Sequence, residues 1–107
     1  MMSTKPSLRT VTVSNPQGMH ARPVDLFVKT ALQFESKIQL VKDGERVDGK
    51  SILAILALGA QQGTQLAIEA IGSDADVALD ALVTLVEQGF DEEDVDQQQI
   101  VDNSKFS

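Results

Sequence analysis

Apolar residues in this chain switch repeatedly between a two-residue period and a helical one, and that alternation restricts the folds open to it more than any single motif does. Val11 and Val13 share a face in the Val/Thr-rich stretch from Leu8 to Ser14, as in a half-buried strand. Asn15-Pro16-Gln17-Gly18 breaks that strand, and from Ala21 onward Val24, Phe27, Val28 and Ala31 recur at helical spacing. Pro23 is compatible with a helix beginning at or just after His20, because first-turn amides have no intrahelical partner to lose. Ile38 and Leu40 mark a second strand, Asp43-Gly44 a tight turn, and Glu45-Arg46-Val47 the returning arm of a hairpin.

The run from Ser51 to Leu58 is almost wholly apolar, with Ser51 placed to cap a short helix and Gly59 to stop it. A helix apolar on nearly every side exposes part of that surface, and Leu53 is the residue expected outside, with Ile52 and Leu56 beside it. Leu66, Ile68 and Ala70 form a fourth strand. Ser73 with Asp76 reads as a capping box for a last helix with Ala78, Ala81, Leu82 and Leu85 facing inward, and Gly89 as its end. The order is βαββαβα, an α+β fold with one four-stranded antiparallel sheet and three helices on one face. Residues 1–7 are expected to be an extension, 8–90 the domain, and 91–107 an acidic tail too polar to order itself.

Charge and composition exclude several functions. Residues 1–60 hold eight Lys/Arg against five Asp/Glu, while residues 61–107 hold one against eleven, so no extended basic face exists to bind nucleic acid. The absence of cysteine removes disulfides, thiolate catalysis and sulfur-ligated metal. With one histidine as well, neither a metal nor any other cofactor is expected. No apolar run is long enough to span a bilayer and no signal-peptide stretch precedes the first strand, so a cytoplasmic protein without membrane insertion is expected.

His20 stands where a Gly-containing loop meets a helix start. Exposed amides and the positive end of a helix dipole favour a phosphoryl group there, and Arg22 can add a charge-assisted contact. Imidazole titrates near neutral pH, so it can act as a nucleophile without a separate base. A histidine in this position can equally serve as a plain cap or a solvated loop residue.

The string Gly18-Met19-His20-Ala21-Arg22-Pro23 resembles the active-site signature of the HPr family, the histidine-containing phosphocarriers of the bacterial phosphoenolpyruvate-dependent sugar phosphotransferase system. Lys50-Ser51-Ile52, with its serine 31 residues after the histidine, and Leu58-Gly59 with Gly63-Thr64 match the family as well, and the resemblance spans about residues 8–90. It implies an open-faced β-sandwich. It also implies that His20 takes a phosphoryl group, conventionally on Nδ1, from phosphorylated enzyme I and passes it to sugar-transport or regulatory acceptors. Arg22 and the backbone amides of Ala21 and Arg22 would steady the group. Ser51 would be the regulatory site of an HPr kinase/phosphorylase, and Lys29, Ile52, Leu53 and Leu56 would meet partners.

Asp25 and Leu32 stand where many family members carry a neutral and a basic residue, so the partner face is less cationic than usual. Two other readings are an interaction module of the same fold, controlled through Ser51 with little phosphotransfer, and a small ligand-binding regulatory domain. The second leaves residues 18–23 unexplained.

Overall fold

The computed structural model describes residues 5–91. Its elements are β1 (Ser7–Thr12), α1 (Ala21–Ala31), β2 (Lys37–Lys42), β3 (Glu45–Asp48), α2 (Ile52–Leu58), β4 (Gln65–Ile71) and α3 (Ala75–Glu87), closed by a 3-10 turn at Gly89–Asp91. The strands form one sheet in the order β1-β4-β2-β3, with every neighbouring pair antiparallel. This is the expected α+β open-faced sandwich.

Alternation along the strands decides which side the helices cover. Val11, Leu66, Ile68, Ala70, Ile38 and Leu40 are all buried, and the register sets Val11 opposite Leu66 and Leu40 opposite Ile68 in one apolar layer. Leu8, Thr10 and Thr12 point the other way and are exposed. On that open face Glu69 is nonetheless buried, because the Arg46 guanidinium donates to its carboxylate at 2.5 Å and to Gln39 Oε1 at 3.1 Å. β1 ends before Val13, whose backbone leaves the ladder to exchange hydrogen bonds with Gly63 and Thr64 (Val13 N to Thr64 O 2.9 Å; Gly63 N to Val13 O 2.8 Å).

Helix α1 buries Pro23, Val24, Phe27, Val28 and Ala31, the stripe its sequence predicts. Asp43 and Gly44 both take positive φ, 49° and 83°, as a two-residue hairpin turn requires. Ser51 Oγ accepts the amide of Ala54 at 3.2 Å and Gly59 closes α2 at φ 63°, so both ends of that helix are as expected.

Helix α3 departs from expectation in two ways. Its N-cap is Asp74 rather than Ser73, and the Asp74 carboxylate makes no capping bond. It accepts instead from the amides of Glu35 (2.8 Å) and Ser36 (3.0 Å) and from the Ser36 hydroxyl, tying the start of α3 to the loop after α1. The buried stripe of α3 is Ala75, Ala78, Leu79, Leu82 and Val86, while Ala81 and Leu85 are only half-buried. The helix is apolar around much of its circumference, so two overlapping stripes satisfy the period and packing against β1 and β4 selects one. Phe90 folds in behind Gly89 and is 4% exposed, so the core extends to the last residue of the expected domain. The remainder of the acidic tail and residues 1–4 lie outside the described residues.

The Asp74 node makes stability depend on pH. Hydrogen bonds from the Ser36 hydroxyl, then from the Glu35 and Ser36 amides, hold its carboxyl below the ordinary value of 3.8. A depressed folded-state pKa contributes stability that is complete above the unfolded value and is lost as pH falls through the folded one. Asp74→Asn is therefore expected to lower the thermal midpoint at neutral pH, with the gap to the parent protein narrowing below about pH 3.8; paired thermal melts across that range check it.

Candidate functional site

The loop at residues 15–20 is anchored at both ends before it presents its histidine. Asn15 is buried, its amide Nδ2 donates to Gly18 O at 2.6 Å, and its own carbonyl accepts from Gly18 N at 3.0 Å. Met19 is buried and its amide donates to Ala60 O at 2.8 Å, fastening the loop to the turn that leaves α2. Gly18 sits at φ 71°, and a Cβ there would come within 2.5 Å of Ala60 O, so the close approach of two backbones requires glycine. The string 18–23 contains Gly18 and Met19 but not their partners Asn15 and Ala60. Ala60 lies forty residues away in sequence and carries no local signal, whereas Asn15 reads only as a strand breaker.

His20 is the N-cap residue of α1 with extended backbone (φ −98°, ψ −169°), and its side chain makes no capping hydrogen bond. Its backbone carbonyl accepts Val24 N at 3.0 Å, so the main chain already turns the helix and the imidazole is not spent on that task. Nε2 is buried within the protein. Nε2 is thus not the nitrogen that faces solvent. Ala21 and Arg22 follow in the first turn, both exposed, and Pro23 has no amide hydrogen. The helix itself supplies no acceptor for the amides of Ala21 and Arg22, which lie at its positive end. An imidazole, two first-turn amides and a guanidinium thus belong to three consecutive residues.

The other expected site residues lie elsewhere. Lys50 Nζ donates to Phe34 O at 2.8 Å, just beyond the end of α1, whereas Met19, just before its start, bonds to Ala60 beyond the end of α2. The two helices therefore run antiparallel, and Ser51 is set at the far end of α2 from the histidine loop, about 10 Å along a seven-residue helix. Its hydroxyl serves as the α2 cap. Leu53 is the outermost, at 80% exposed, as expected, with Ile52 at 39% and Leu56 half-buried. Lys29 forms an ion pair with Asp25 at 2.9 Å, one turn back on the same helix. That neutralises the one cation expected on the α1 partner face, and Leu32, 61% exposed at the end of α1, adds an apolar residue to it. Among the described residues, no three of the His, Cys, Asp or Glu side chains come together to hold a metal ion.

Residues 8–88 match the family model described as the PTS HPr component phosphorylation site. The phosphocarrier protein HPr of Treponema pallidum is 43% identical over 86 residues, covering 80% of this chain and 98% of the relative. The phosphocarrier protein NPr of Proteus mirabilis is 38% identical over 86 residues, 79% of this chain and 96% of the relative. Among solved structures, HPr from Thermoanaerobacter tengcongensis superposes with a TM-score of 0.77 at 43% identity, covering 78% of this chain and 94% of that one.

Proposed function

This chain belongs to the HPr family, the phosphocarrier proteins of the phosphotransferase relay, and we propose that it carries its phosphoryl group on Nδ1 of His20. The observation that carries this assignment is the inward Nε2 combined with an N-cap whose imidazole makes no capping bond. In the acceptor state the proton resides on Nε2 and the lone pair on Nδ1. That lone pair forms the nitrogen–phosphorus bond as the bond to the donor's leaving nitrogen breaks, and the same exchange in reverse delivers the group onward. The protein contributes position and charge: the Ala21 and Arg22 amides and the Arg22 guanidinium face the phosphoryl oxygens as the group arrives.

The donor in this reading is phosphorylated enzyme I, and the acceptors are sugar-specific transport components or regulatory proteins of the relay, in the cytoplasm. Among the described residues no helix is long and apolar enough to cross a membrane. Partners dock on the layer formed by α1 and α2, along which Leu56, Leu53, Ile52 and Lys29 extend from the histidine loop toward the opposite end. Ser51 is the proposed target of an HPr kinase/phosphorylase. A phosphate there adds about two negative charges at the start of α2, on the side of the docking layer away from His20.

Arg22→Ala is expected to slow phosphoryl acceptance about ten- to a hundredfold, since a hydrogen bond to a charged group is worth roughly 1.5–3 kcal/mol. Arg22→Lys should recover only part of the loss, because an ammonium lacks the planar fork of a guanidinium. Rapid-quench transfer rates from phosphorylated enzyme I check both.

A further inference from the structure

The loop that carries His20 rests on the turn between α2 and β4. Met19 N donates to Ala60 O at 2.8 Å, and Gln62 Nε2 donates to Ser14 O at 3.1 Å. Gly18 packs so closely that a Cβ on it would lie 2.5 Å from Ala60 O and 2.7 Å from Gln61 Cα. Residues 60–62 thus meet the loop at three points, yet they belong to no helix or strand, and their position depends on how the turn Gln61-Gln62-Gly63-Thr64 closes. Thr64 closes it twice: its amide donates to Gln61 O at 3.0 Å, and its hydroxyl oxygen accepts from Gln61 N at 3.0 Å. The backbone of Thr64 is itself fixed to the end of β1, because its carbonyl accepts Val13 N at 2.9 Å.

Resting on the reading of His20 as phosphoryl acceptor, we propose that Thr64 is a positioning residue for phosphoryl transfer, its hydroxyl holding the 60–61 peptide and, through Met19, the imidazole of His20. The N–H that the hydroxyl accepts and the C=O that accepts Met19 N belong to one and the same peptide group, between Ala60 and Gln61. That group is planar, so its two hydrogen bonds turn together, and each polarises the other. Rotating the peptide away from Thr64 therefore draws the carbonyl away from Met19, the residue from which the backbone passes directly to His20. The Thr64–Gln61 bond lies at an exposed site, where water can replace the hydroxyl. The fold thus survives its loss, and what goes is the fixed direction of the carbonyl. A neutral hydrogen bond shifts a local equilibrium about two- to tenfold, and phosphoryl transfer is sensitive to misplacements on the order of 1 Å.

Phosphoramidate docks on no protein surface, so the rate at which it phosphorylates the full-length chain reports on the site alone. Its P–N bond breaks and ammonia leaves as the bond to His20 forms. Thr64→Val keeps the shape and the backbone bonds of the residue and should slow this reaction about two- to tenfold, while Thr64→Ser, which keeps the hydroxyl, should recover most of the parent rate. Ala81→Gly, in the middle of α3, lowers stability away from the loop and should leave the rate unchanged. Native-state hydrogen exchange supplies a readout that global stability does not move. Relative to the amides of β4, the Met19 amide should lose protection in Thr64→Val and keep it in Thr64→Ser and Ala81→Gly. A parent-like rate in Thr64→Val, a serine variant as slow as the valine one, equal slowing by Ala81→Gly, or unchanged relative protection of Met19 overturns the proposal. Failure of the histidine assignment has a different signature: no chain forms a phosphohistidine, while the exchange pattern still reports whether Thr64 holds the loop.

Discussion

His20→Ala is expected to abolish phosphoryl transfer through this protein while leaving the fold in place. The side chain is half-exposed and makes no capping bond, and the loop that carries it is held by Asn15, Met19 and Ala60. Its removal leaves the backbone anchors of the loop in place and should therefore change the unfolding free energy by no more than about 1 kcal/mol. Transfer, by contrast, loses its nucleophile outright, and with a single histidine in the chain no neighbouring imidazole can take over. The predicted combination is a superimposable denaturation curve with no detectable N–P product. A variant that unfolds early would move His20 into the structural machinery of the loop.

The second large effect is expected at a residue that touches no phosphate. Gly18→Ala forces a side chain into left-handed backbone at φ 71° and sets its Cβ 2.5 Å from Ala60 O, a backbone atom with little freedom to withdraw. Strain at positive φ and overpacking each cost about 1–2 kcal/mol or more, giving a loss of about 2–4 kcal/mol from a domain whose total stability is typically 5–15 kcal/mol. Relief requires the histidine loop to part from the turn after α2, which displaces His20 from the first-turn amides. Gly18→Ala is thus expected to lose both stability and transfer rate, and Gly63→Ala offers a contrast. Gly63 also has positive φ, 88°, but a Cβ there meets nothing within 4 Å, so only the conformational cost applies. Urea denaturation of the two variants, paired with transfer rates, separates the clash from the backbone preference.

Much of this fold is legible in the sequence because its signals are local. The period of Val24, Phe27, Val28 and Ala31, the Asp43-Gly44 turn, the Ser51 cap and the Gly59 stop each depend on residues within a few positions of one another. The features that could not be read depend on distant partners. Asp74 looks like part of a helix start, yet its carboxylate is committed to Glu35 and Ser36, nearly forty residues earlier. The phase of α3 was ambiguous because Leu79, Val83, Leu85 and Val86 offer apolar area on adjoining faces, and only the position of the sheet separates them. For the site, residues 18–23 were legible as a motif and Leu53 as an exposed apolar residue. The inward turn of Nε2 and the loop's attachment to Ala60 arise from tertiary packing and have no counterpart in the local sequence. The Lys29–Asp25 pair is accessible from i,i+4 spacing, and its consequence is an α1 surface with less free positive charge than its lysine suggests.

The most direct test of the central claim is to incubate the full-length chain with phosphoenolpyruvate and purified enzyme I and locate the phosphate by mass spectrometry under alkaline conditions that preserve phosphohistidine. The expected product carries one phosphoryl group on His20, stable to alkali and lost in acid. An unlabelled His20, with phosphate appearing only on Ser51 when ATP and a kinase are supplied, would contradict the account and identify the protein as a regulatory module on a phosphocarrier fold.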